Sequence, residues 1–224
     1  VTGSGPAGLS SAYAAAKNGA KVILAEDKPR FGGSLLTDDV TIDNLSGKAW
    51  TDKIITQLKE MPNVIVKNRS QVFGYYDHNM TVMIEKTGDH LKDKPKYVPR
   101  QRLWYIRAKE VILSTGSIER PIVFGNNDTP GVFLSAAAKE YIKVYGVLVG
   151  KKPLVFTNND SGYETALEFK KHGVDPIILD TREEHSSELI DSAKNQNIKI
   201  KFSYAVIAAN GYKKVQSAQI GKLN

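Results

Sequence analysis

The chain has 224 residues, a formal net charge of +7 and a charged fraction of 25%, which suits one large or two small globular domains. Cysteine is absent, which excludes disulfides, thiolate catalysis and cysteine-based metal sites within this chain and is compatible with a cytoplasmic setting. No apolar run approaches the ~18 residues of a membrane-spanning helix. The positive charge comes mostly from scattered lysines, which predicts a solvated surface. We therefore expect neither a membrane nor a nucleic acid as partner.

The chain opens with a βαβ pattern. Val1-Thr2 is typical of the end of a strand, whose beginning we expect to lie outside this sequence. The glycine turn Gly3-Ser4-Gly5-Pro6-Ala7-Gly8 follows. Alanine-rich residues 9–17 then predict a helix, and residues 21–25 predict a buried strand that Glu26 closes. The spacing is normal for the first unit of a parallel sheet.

The residues up to about position 120 complete a first domain. In chain order they predict a second glycine turn (Phe31-Gly32-Gly33-Ser34), a helix (48–60) and a strand (63–67). A hairpin (72–86) and two further strands (103–107 and 110–113) follow. The last strand leads into Ser114-Thr115-Gly116, whose small side chains suit a second close approach to a cofactor or a plain turn. We predict a Rossmann-like dinucleotide-binding domain with a β-hairpin or meander over residues 1–120.

A second βαβ pattern follows a loop at residues 119–131 and a helix at residues 132–145. It predicts strands at residues 154–157, 176–179 and 198–202, helices at residues 161–171 and 184–194, and a further short strand at 204–209. Glu183-Glu184-His185 is interpreted as a helix start, because carboxylates suit the positive end of the helix dipole. We predict an α/β fold of the three-layer, two-dinucleotide-domain flavoprotein type. Its second Rossmann-like domain spans residues 121–224, with a degenerate glycine motif, and is incomplete.

The first glycine turn has the spacing of a phosphate-binding turn. Gly3 permits the tight turn, Gly5 lets the backbone approach a pyrophosphate, and Gly8 lets helix and strand pack closely. The helix that follows offers unpaired N–H groups and a positive dipole end. Glu26 lies 18 residues after Gly8, near the expected ~20, and its carboxylate can accept hydrogen bonds from ribose hydroxyls while repelling a 2′-phosphate. The pattern predicts NAD or FAD here, and the alternative is a βαβ unit whose glycines serve packing alone.

The equivalent turn of the second domain, residues 156–162, keeps one glycine. Asp160 would place a negative charge where a phosphate lies, so we interpret Asp160 or Ser161 as the N-cap of the next helix. A surface for a neighbouring domain or subunit is the alternative. The four histidines lack metal-ligand spacing and no nucleophile or acid–base pair is evident. We therefore predict no catalytic and no metal-binding residue in this chain, which leaves the chemistry to a cofactor.

Segments across nearly the whole chain resemble the alpha subunit of heterotetrameric sarcosine oxidase, namely Gly3-Ser4-Gly5-Pro6-Ala7-Gly8-Leu9, Phe31-Gly32-Gly33-Ser34-Leu35-Leu36, Thr115-Gly116-Ser117-Ile118-Glu119-Arg120-Pro121, Phe124-Gly125-Asn126-Asn127-Asp128-Thr129-Pro130-Gly131 and Val155-Phe156-Thr157-Asn158-Asn159-Asp160-Ser161. The resemblance implies an N-terminal half built like the disulfide reductases and holding NAD, followed by a folate-binding half that this chain lacks. It also implies that the partners are the beta, gamma and delta subunits, with FAD on beta and FMN between alpha and beta. Such a complex oxidises sarcosine to glycine, makes hydrogen peroxide and passes a one-carbon unit to tetrahydrofolate.

The motif and the resemblance together assign the cofactor-binding residues. These are Gly3, Gly5, Pro6, Ala7, Gly8, Glu26, Asp27, Gly33, Ser34, Val72, Thr115 and Gly116. Two other interpretations stay open. The chain could be a subunit of an FAD-dependent amine or opine dehydrogenase, or of a pyridine nucleotide-disulfide reductase-like enzyme, with flavin on the first turn. It could also be a structural subunit with a vestigial pocket. In each case we expect this chain alone not to be catalytic.

Overall fold

A computed structural model describes residues 1–93 and 95–223. The chain divides into two compact units, Val1–Ser117 and Ile118–Asn224. Each unit contains its own parallel sheet with packed helices and an antiparallel element, and each is described by itself. No helix among the described residues is long and apolar enough to cross a membrane.

The first unit combines a parallel sheet with an antiparallel meander. Its helices and strands are α1 (Pro6–Lys17), β1 (Val22–Ala25), β2 (Thr41–Ile42), β3 (Leu45–Ser46), α2 (Gly47–Glu60), β4 (Val64–Lys67), β5 (Ser70–Tyr76), β6 (Met80–Glu85) and β7 (Arg102–Arg107). Strand β1 pairs in parallel with β4, and Thr2 forms parallel bridges to Ala25 and Leu113. The antiparallel order is β5-β6-β7. The glycine turn therefore leaves the carboxyl edge of a parallel sheet, where α/β proteins bind their ligands.

The core of the first unit lies between α1, α2 and the parallel sheet. Helix α1 buries Leu9, Ala12 and Ala16, whose small side chains let the helix lie close to β1. Helix α2 contributes Trp50 and Leu58 to the same cluster. Each large side chain buried here stabilises the fold by about 1.5–3 kcal/mol, so the turn is held on a firmly packed base.

One predicted strand of the first unit, residues 110–113, was wrong. The segment forms only an isolated bridge from Leu113 to Thr2, supported by hydrogen bonds from Thr2 N to Ile112 O and from Ser114 N to Thr2 O at 2.9 and 2.8 Å. A longer ladder needs more residues beside it, and within this chain only Val1 and Thr2 precede the turn. The extended course is present, but a regular strand is not.

The second unit repeats the βαβ plan. Its elements are α3 (Ser135–Tyr145), β8 (Leu154–Thr157), α4 (Ser161–Lys171), β9 (Ile177–Asp180), α5 (Glu188–Asn195), β10 (Lys199–Phe202), β11 (Tyr204–Gly211) and β12 (Val215–Lys222). The parallel sheet has the order β10-β9-β8, and β11 with β12 forms an antiparallel hairpin. Its core contains Tyr163, Ala166, Ile178 and Ile190.

Two helices of the second unit begin later than predicted. Helix α3 begins at Ser135, not at residue 132, because Val132 belongs to a turn in which its N–H donates to Thr129 O at 3.0 Å. Helix α5 begins at Glu188, not at residue 184, because Ser187 is its N-cap and accepts from Ile190 N. The interpretation of Glu183-Glu184-His185 as a helix start was therefore wrong.

Candidate functional site

Two glycines of the first turn are required by packing. A Cβ atom on Gly3, whose φ is +93°, would lie 2.2 Å from Ser114 O. A Cβ on Gly8 would lie 1.9 Å from Gly3 O. No side chain fits at either position, so these two glycines bring the turn, α1 and the segment at Ser114 into direct backbone contact.

Gly5 is different, because packing does not explain it. No heavy atom lies within 4 Å of the place where its Cβ would be, and its φ of −66° and ψ of −176° are open to any residue. Gly5 is the N-cap of α1, which has no side-chain cap and has Pro6 at its start. The N–H groups of Ala7 and Gly8 therefore have no partner within the helix. Unpaired donors at a helix start, beside the open space at Gly5, fit the pyrophosphate of a dinucleotide.

The second glycine turn lies against the first. A Cβ on Gly33, whose φ is +54°, would lie 3.0 Å from the Cα of Gly5. The Gly32 N–H donates to Ser4 O at 3.1 Å and to Ser4 Oγ at 3.2 Å. Ser34 is exposed and is the second residue of the 3₁₀ turn Gly33–Leu36. The structure therefore brings Gly33 next to Gly5.

Ser4 is a residue that the sequence analysis missed. It is fully buried, and its N–H and hydroxyl both donate to Glu26 Oε2, at 2.9 and 2.5 Å. The Lys28 N–H donates to the other carboxylate oxygen of Glu26 at 2.9 Å. Ser4 thus ties the glycine turn to the acid at the end of β1 and to the second glycine turn at Gly32. Its position between two glycines carries no local signal of this role.

Glu26 is held with its carboxylate nearly buried, at 6% exposure. Burial raises the pKa of Glu26, and a hydrogen bond with Asp27 adds to the rise, whereas the donors of Ser4 and Lys28 lower it by less. A carboxylate has about four acceptor positions, and three are used by Ser4 and Lys28. The protein therefore orients the acid with three donors, and the hydrogen bond with Asp27 engages the carboxyl group further.

The other predicted site residues lie around this centre. Strand β5, which carries Val72, begins with the Ser70 N–H donating to Glu26 O at 2.7 Å. Thr115 and Gly116 directly follow Ser114, whose carbonyl lies against Gly3. Gly116 has a φ of +69° and open space at its Cβ position. Asp27 is exposed. These contacts place backbone from three further segments next to the turn and Glu26.

The turn of the second unit has one packing glycine and no open one. A Cβ on Gly162 would lie 2.6 Å from Thr157 Cβ, so this glycine lets α4 pack on β8. Asn159 occupies the place of the second glycine, and its Oδ1 accepts from Ser161 N and Oγ at 3.0 and 2.6 Å. Asp160 is the N-cap residue, as predicted, but its side chain makes no capping hydrogen bond. Asn159 therefore satisfies donors that a phosphate would otherwise use.

Asp160 binds an arginine instead. Nη2 of Arg182 donates to Asp160 Oδ1 at 2.8 Å and to Asp180 Oδ2 at 2.7 Å, and the Tyr163 hydroxyl donates to Asp180 at 2.8 Å. Burial alone would raise the pKa of Asp180, but the hydrogen bonds and charge of Arg182 outweigh burial, and the pKa lies below its ordinary value. His185 Nε2 lies 3.7 Å from Asp160. Asp180, which ends β9 as Glu26 follows β1, is thus paired with Arg182 of its own chain. Asp160 in the turn before α4 is paired with the same arginine.

Within residues 1–93 and 95–223, no group of three His, Asp or Glu side chains is arranged to hold a metal ion. Glu119, in the loop that precedes α3, has a structural contact. Its carboxylate accepts from Ser135 N at 3.1 Å and from Ala136 N at 2.7 Å, and so caps α3 from a distance.

The fold and the first turn define a dinucleotide-binding oxidoreductase. Residues 1–222 match the family described as pyridine nucleotide-disulphide oxidoreductase, and the chain belongs to this family. It is 42% identical over 183 residues to the sarcosine oxidase alpha subunit of Rhizobium meliloti (strain 1021), an alignment that covers 81% of this chain and 18% of that protein. It is 25% identical over 169 residues to an opine oxidase subunit of Agrobacterium tumefaciens (strain Ach5), covering 70% of this chain and 32% of that protein.

Among solved structures, thioredoxin reductase of T. acidophilum has a TM-score of 0.71 and 16% identity, covering 99% of this chain and 69% of that one. This likeness confirms the predicted α/β fold with Rossmann-like flavoprotein neighbours. The similarity to sarcosine oxidase alpha subunits confirms the resemblance predicted from the motifs. The chain spans 18–20% of the length of those subunits.

Proposed function

We propose that this chain is the dinucleotide-binding part of a sarcosine oxidase alpha subunit, with NAD on the first glycine turn. The assembled enzyme, with beta, gamma and delta subunits and with FAD and FMN held elsewhere in the complex, oxidatively demethylates sarcosine to glycine. It releases hydrogen peroxide and passes the one-carbon unit to tetrahydrofolate. The observation that carries the proposal is the open space at Gly5 in front of an uncapped helix.

The residues of this chain would hold the ADP half of the cofactor. The open backbone at Gly5 and the first N–H groups of α1 suit the pyrophosphate, and Glu26 suits the adenosine ribose. The Glu26 carboxylate would repel a 2′-phosphate, which favours NAD over NADP. A nicotinamide dinucleotide supplies a hydride acceptor where it takes part in a reaction. The chain itself binds and orients.

The family is named for disulphide chemistry, but this chain has no cysteine. A thiolate is the required nucleophile of thiol–disulfide exchange, so no residue of this chain can carry out that step. This observation favours a role in binding and assembly over a role as a disulfide reductase.

Mass spectrometry of small molecules released from the purified full-length protein tests the cofactor directly. Release of NAD from a colourless protein supports the proposal. Sarcosine turnover by this chain without any partner subunit would contradict it. A protein whose melting temperature rises with neither NAD nor FAD would indicate a structural subunit with a vestigial pocket.

A second candidate function is favoured by the similarity to the opine oxidase subunit. Here the chain would be a subunit of an FAD-dependent amine or opine dehydrogenase, with FAD on the same turn. The turn suits either cofactor, because NAD and FAD both present an adenosine and a pyrophosphate. A yellow protein with a flavin spectrum that is lost on substitution of Gly5 would support this candidate over the first.

A further inference from the structure

The sheet β5-β6-β7 presents an aromatic face that the nucleotide site does not use. Phe73, Tyr76 and Tyr105 are 57%, 55% and 69% exposed. The register places Gly74 and Tyr105 on either side of Val82 in β6. The Tyr76 ring lies over Gly74, because a Cβ there would be 2.5 Å from Tyr76 Cε2. These side chains therefore form one patch across three strands.

The patch is continuous. Phe73 is the unpaired extra residue of a β-bulge between Val72 and Gly74 and is exposed next to Gly74 in the chain. Val82, at the centre, is only 6% exposed. Leu103 extends the patch two residues further along β7, where it pairs with Ile84. At roughly 200 Å² for each aromatic side chain, the three rings alone expose about 350 Å², within the range of surface patches that mark interaction sites.

The opposite face of the same sheet is already packed. Met83 is fully buried there. Glu85 accepts from Trp104 Nε1 at 2.8 Å and from Lys67 Nζ at 2.9 Å. These contacts pack this face around Met83 and Glu85, while Tyr75, near the hairpin turn, is 53% exposed on it. The aromatic face carries the larger exposed apolar surface of the two.

The meander and its loop carry most of the net positive charge of the chain, although not most of its basic residues. Residues 69–109 contain nine Lys and Arg against four Asp and Glu, an excess of five where the whole chain has an excess of seven. Two of these four acids are engaged, Glu85 with Lys67 and Asp89 with Arg100. Arg107 follows Tyr105 by two residues on β7, and side chains two apart on a strand share a face. The aromatic patch thus has Arg107 on its own face, in a segment whose formal net charge is +5.

We infer that this aromatic face docks an acidic surface of a partner subunit in the enzyme complex; the inference rests on the proposed role of the chain as one component of that complex. Tyrosine, phenylalanine and arginine are enriched in protein interfaces. Acidic residues on the partner would pair with Arg107 and steer the encounter. A second copy of this chain is disfavoured as the occupant, because two basic meanders would then face each other.

Hydroxyl-radical footprinting of the full-length protein, first by itself and then in the purified enzyme complex, tests the inference. Oxidation of Phe73, Tyr76 and Tyr105 is expected to fall several-fold in the complex. Tyr212, which is 91% exposed in the β11–β12 hairpin, is the reference side chain. Equal oxidation of the three rings in both states overturns the inference.

Charge reversal provides the second measurement. Tyr105→Glu and Arg107→Glu are expected to weaken the association of the subunits at least tenfold in analytical ultracentrifugation, with the wild-type affinity falling as salt rises. Tyr212→Glu is the matched control and is expected to associate normally. Wild-type affinity in both meander variants overturns the inference. So does a concentration-dependent homodimer whose contact protects the three rings.

The docking surface and the nucleotide site fail in different ways. Arg107→Glu and Tyr105→Glu are expected to keep the NAD-induced rise in melting temperature, because neither residue belongs to the predicted cofactor site. If NAD does not raise the melting temperature of the wild-type protein, the proposed cofactor is contradicted. The association measurements would still test the aromatic face.

Discussion

A valine at position 5 separates the binding role of the turn from its structural role. Gly5 has open space at its Cβ position and a φ of −66°, so valine fits the free protein without a clash or a strained backbone. Its branched side chain would occupy the space that a pyrophosphate needs. The same change at Gly3 or Gly8 would meet backbone at about 2 Å and prevent the native turn.

The expected magnitudes follow from these contacts. In the free protein, Gly5→Val costs about 0.5–1 kcal/mol, because valine is a poorer N-cap than glycine. In the complex it removes about two charge-assisted hydrogen bonds, each contributing roughly 1.5–3 kcal/mol. The loss of about 3–6 kcal/mol corresponds to a rise in Kd of at least ~100-fold.

Calorimetric titration and thermal unfolding with NAD measure both effects. At a ligand concentration about 100 times Kd, wild-type protein gains about 2.7 kcal/mol, or roughly 5–10 °C in a chain of this size. Gly5→Val is expected to show no such gain. Gly150→Val is the matched control, because Gly150 also has open space at its Cβ position and lies in the second unit. It is expected to keep the full gain.

Binding of NAD by Gly5→Val within threefold of the wild-type Kd would refute this reasoning. It would mean that the ligand does not approach the backbone at position 5, and that the glycine spacing serves the fold alone. Unfolding of Gly5→Val in the absence of ligand would refute the claim that packing leaves this position open.

Glu26, Arg182 and Glu119 each allow a test of a single contact. Burial raises the pKa of Glu26 above 4.5, so NAD affinity is expected to fall as pH drops through the raised value. Glu26→Gln is expected to bind NAD more weakly and with a flatter dependence on pH. Binding titrations from about pH 5 to 8 measure both profiles. The same shift means that the contribution of Glu26 to stability is complete below pH 4.5 and is lost as pH rises through the raised pKa. Arg182→Leu leaves buried Asp180 without its cation and is expected to lower the free energy of unfolding in urea by about 2–3 kcal/mol. This is less than for a fully buried ion pair, because Arg182 is 31% exposed. The control Arg182→Lys keeps a cation and is expected to lower the free energy of unfolding by less. Because the pKa of Asp180 is lowered from 3.8, its stabilisation is present above pH 3.8 and lost as pH falls through the lowered value, and an unchanged acid unfolding profile in Arg182→Leu would contradict this. Glu119→Ala is expected to cost about 1 kcal/mol by removing the cap of α3, and Glu119→Gln to cost less.

Local signals were enough for the elements that carry the first site. The spacing of Gly3, Gly5 and Gly8, the alanine-rich helix and the apolar run before Glu26 all act over a few residues, and the structure contains each element. In the second unit, β8 and α4 have the predicted bounds. These segments have a clear period and distinct end signals, which is why pattern alone locates them.

Contacts between distant residues could not be predicted in this way. The role of Ser4 depends on Glu26 and Gly32, which lie 22 and 28 residues away. Glu119 caps a helix that begins 16 residues later. By contrast, β12 was missed because its connection to β11 is the loop at residues 212–214, and the Asn210-Gly211 pair lies at the end of β11 instead of in the turn. The weak apolar alternation of residues 215–222 obscured that strand.

The hydrogen bonds that hold Glu26 have a kinetic consequence. Three donors fix its carboxylate before any ligand arrives, so the adenosine half of a dinucleotide meets an acceptor that needs no rotamer search. Binding then avoids about 0.5–1.5 kcal/mol of side-chain ordering at this residue. Association at the adenosine end is thus expected to proceed in a single concentration-dependent phase, as rigid, preorganised sites do.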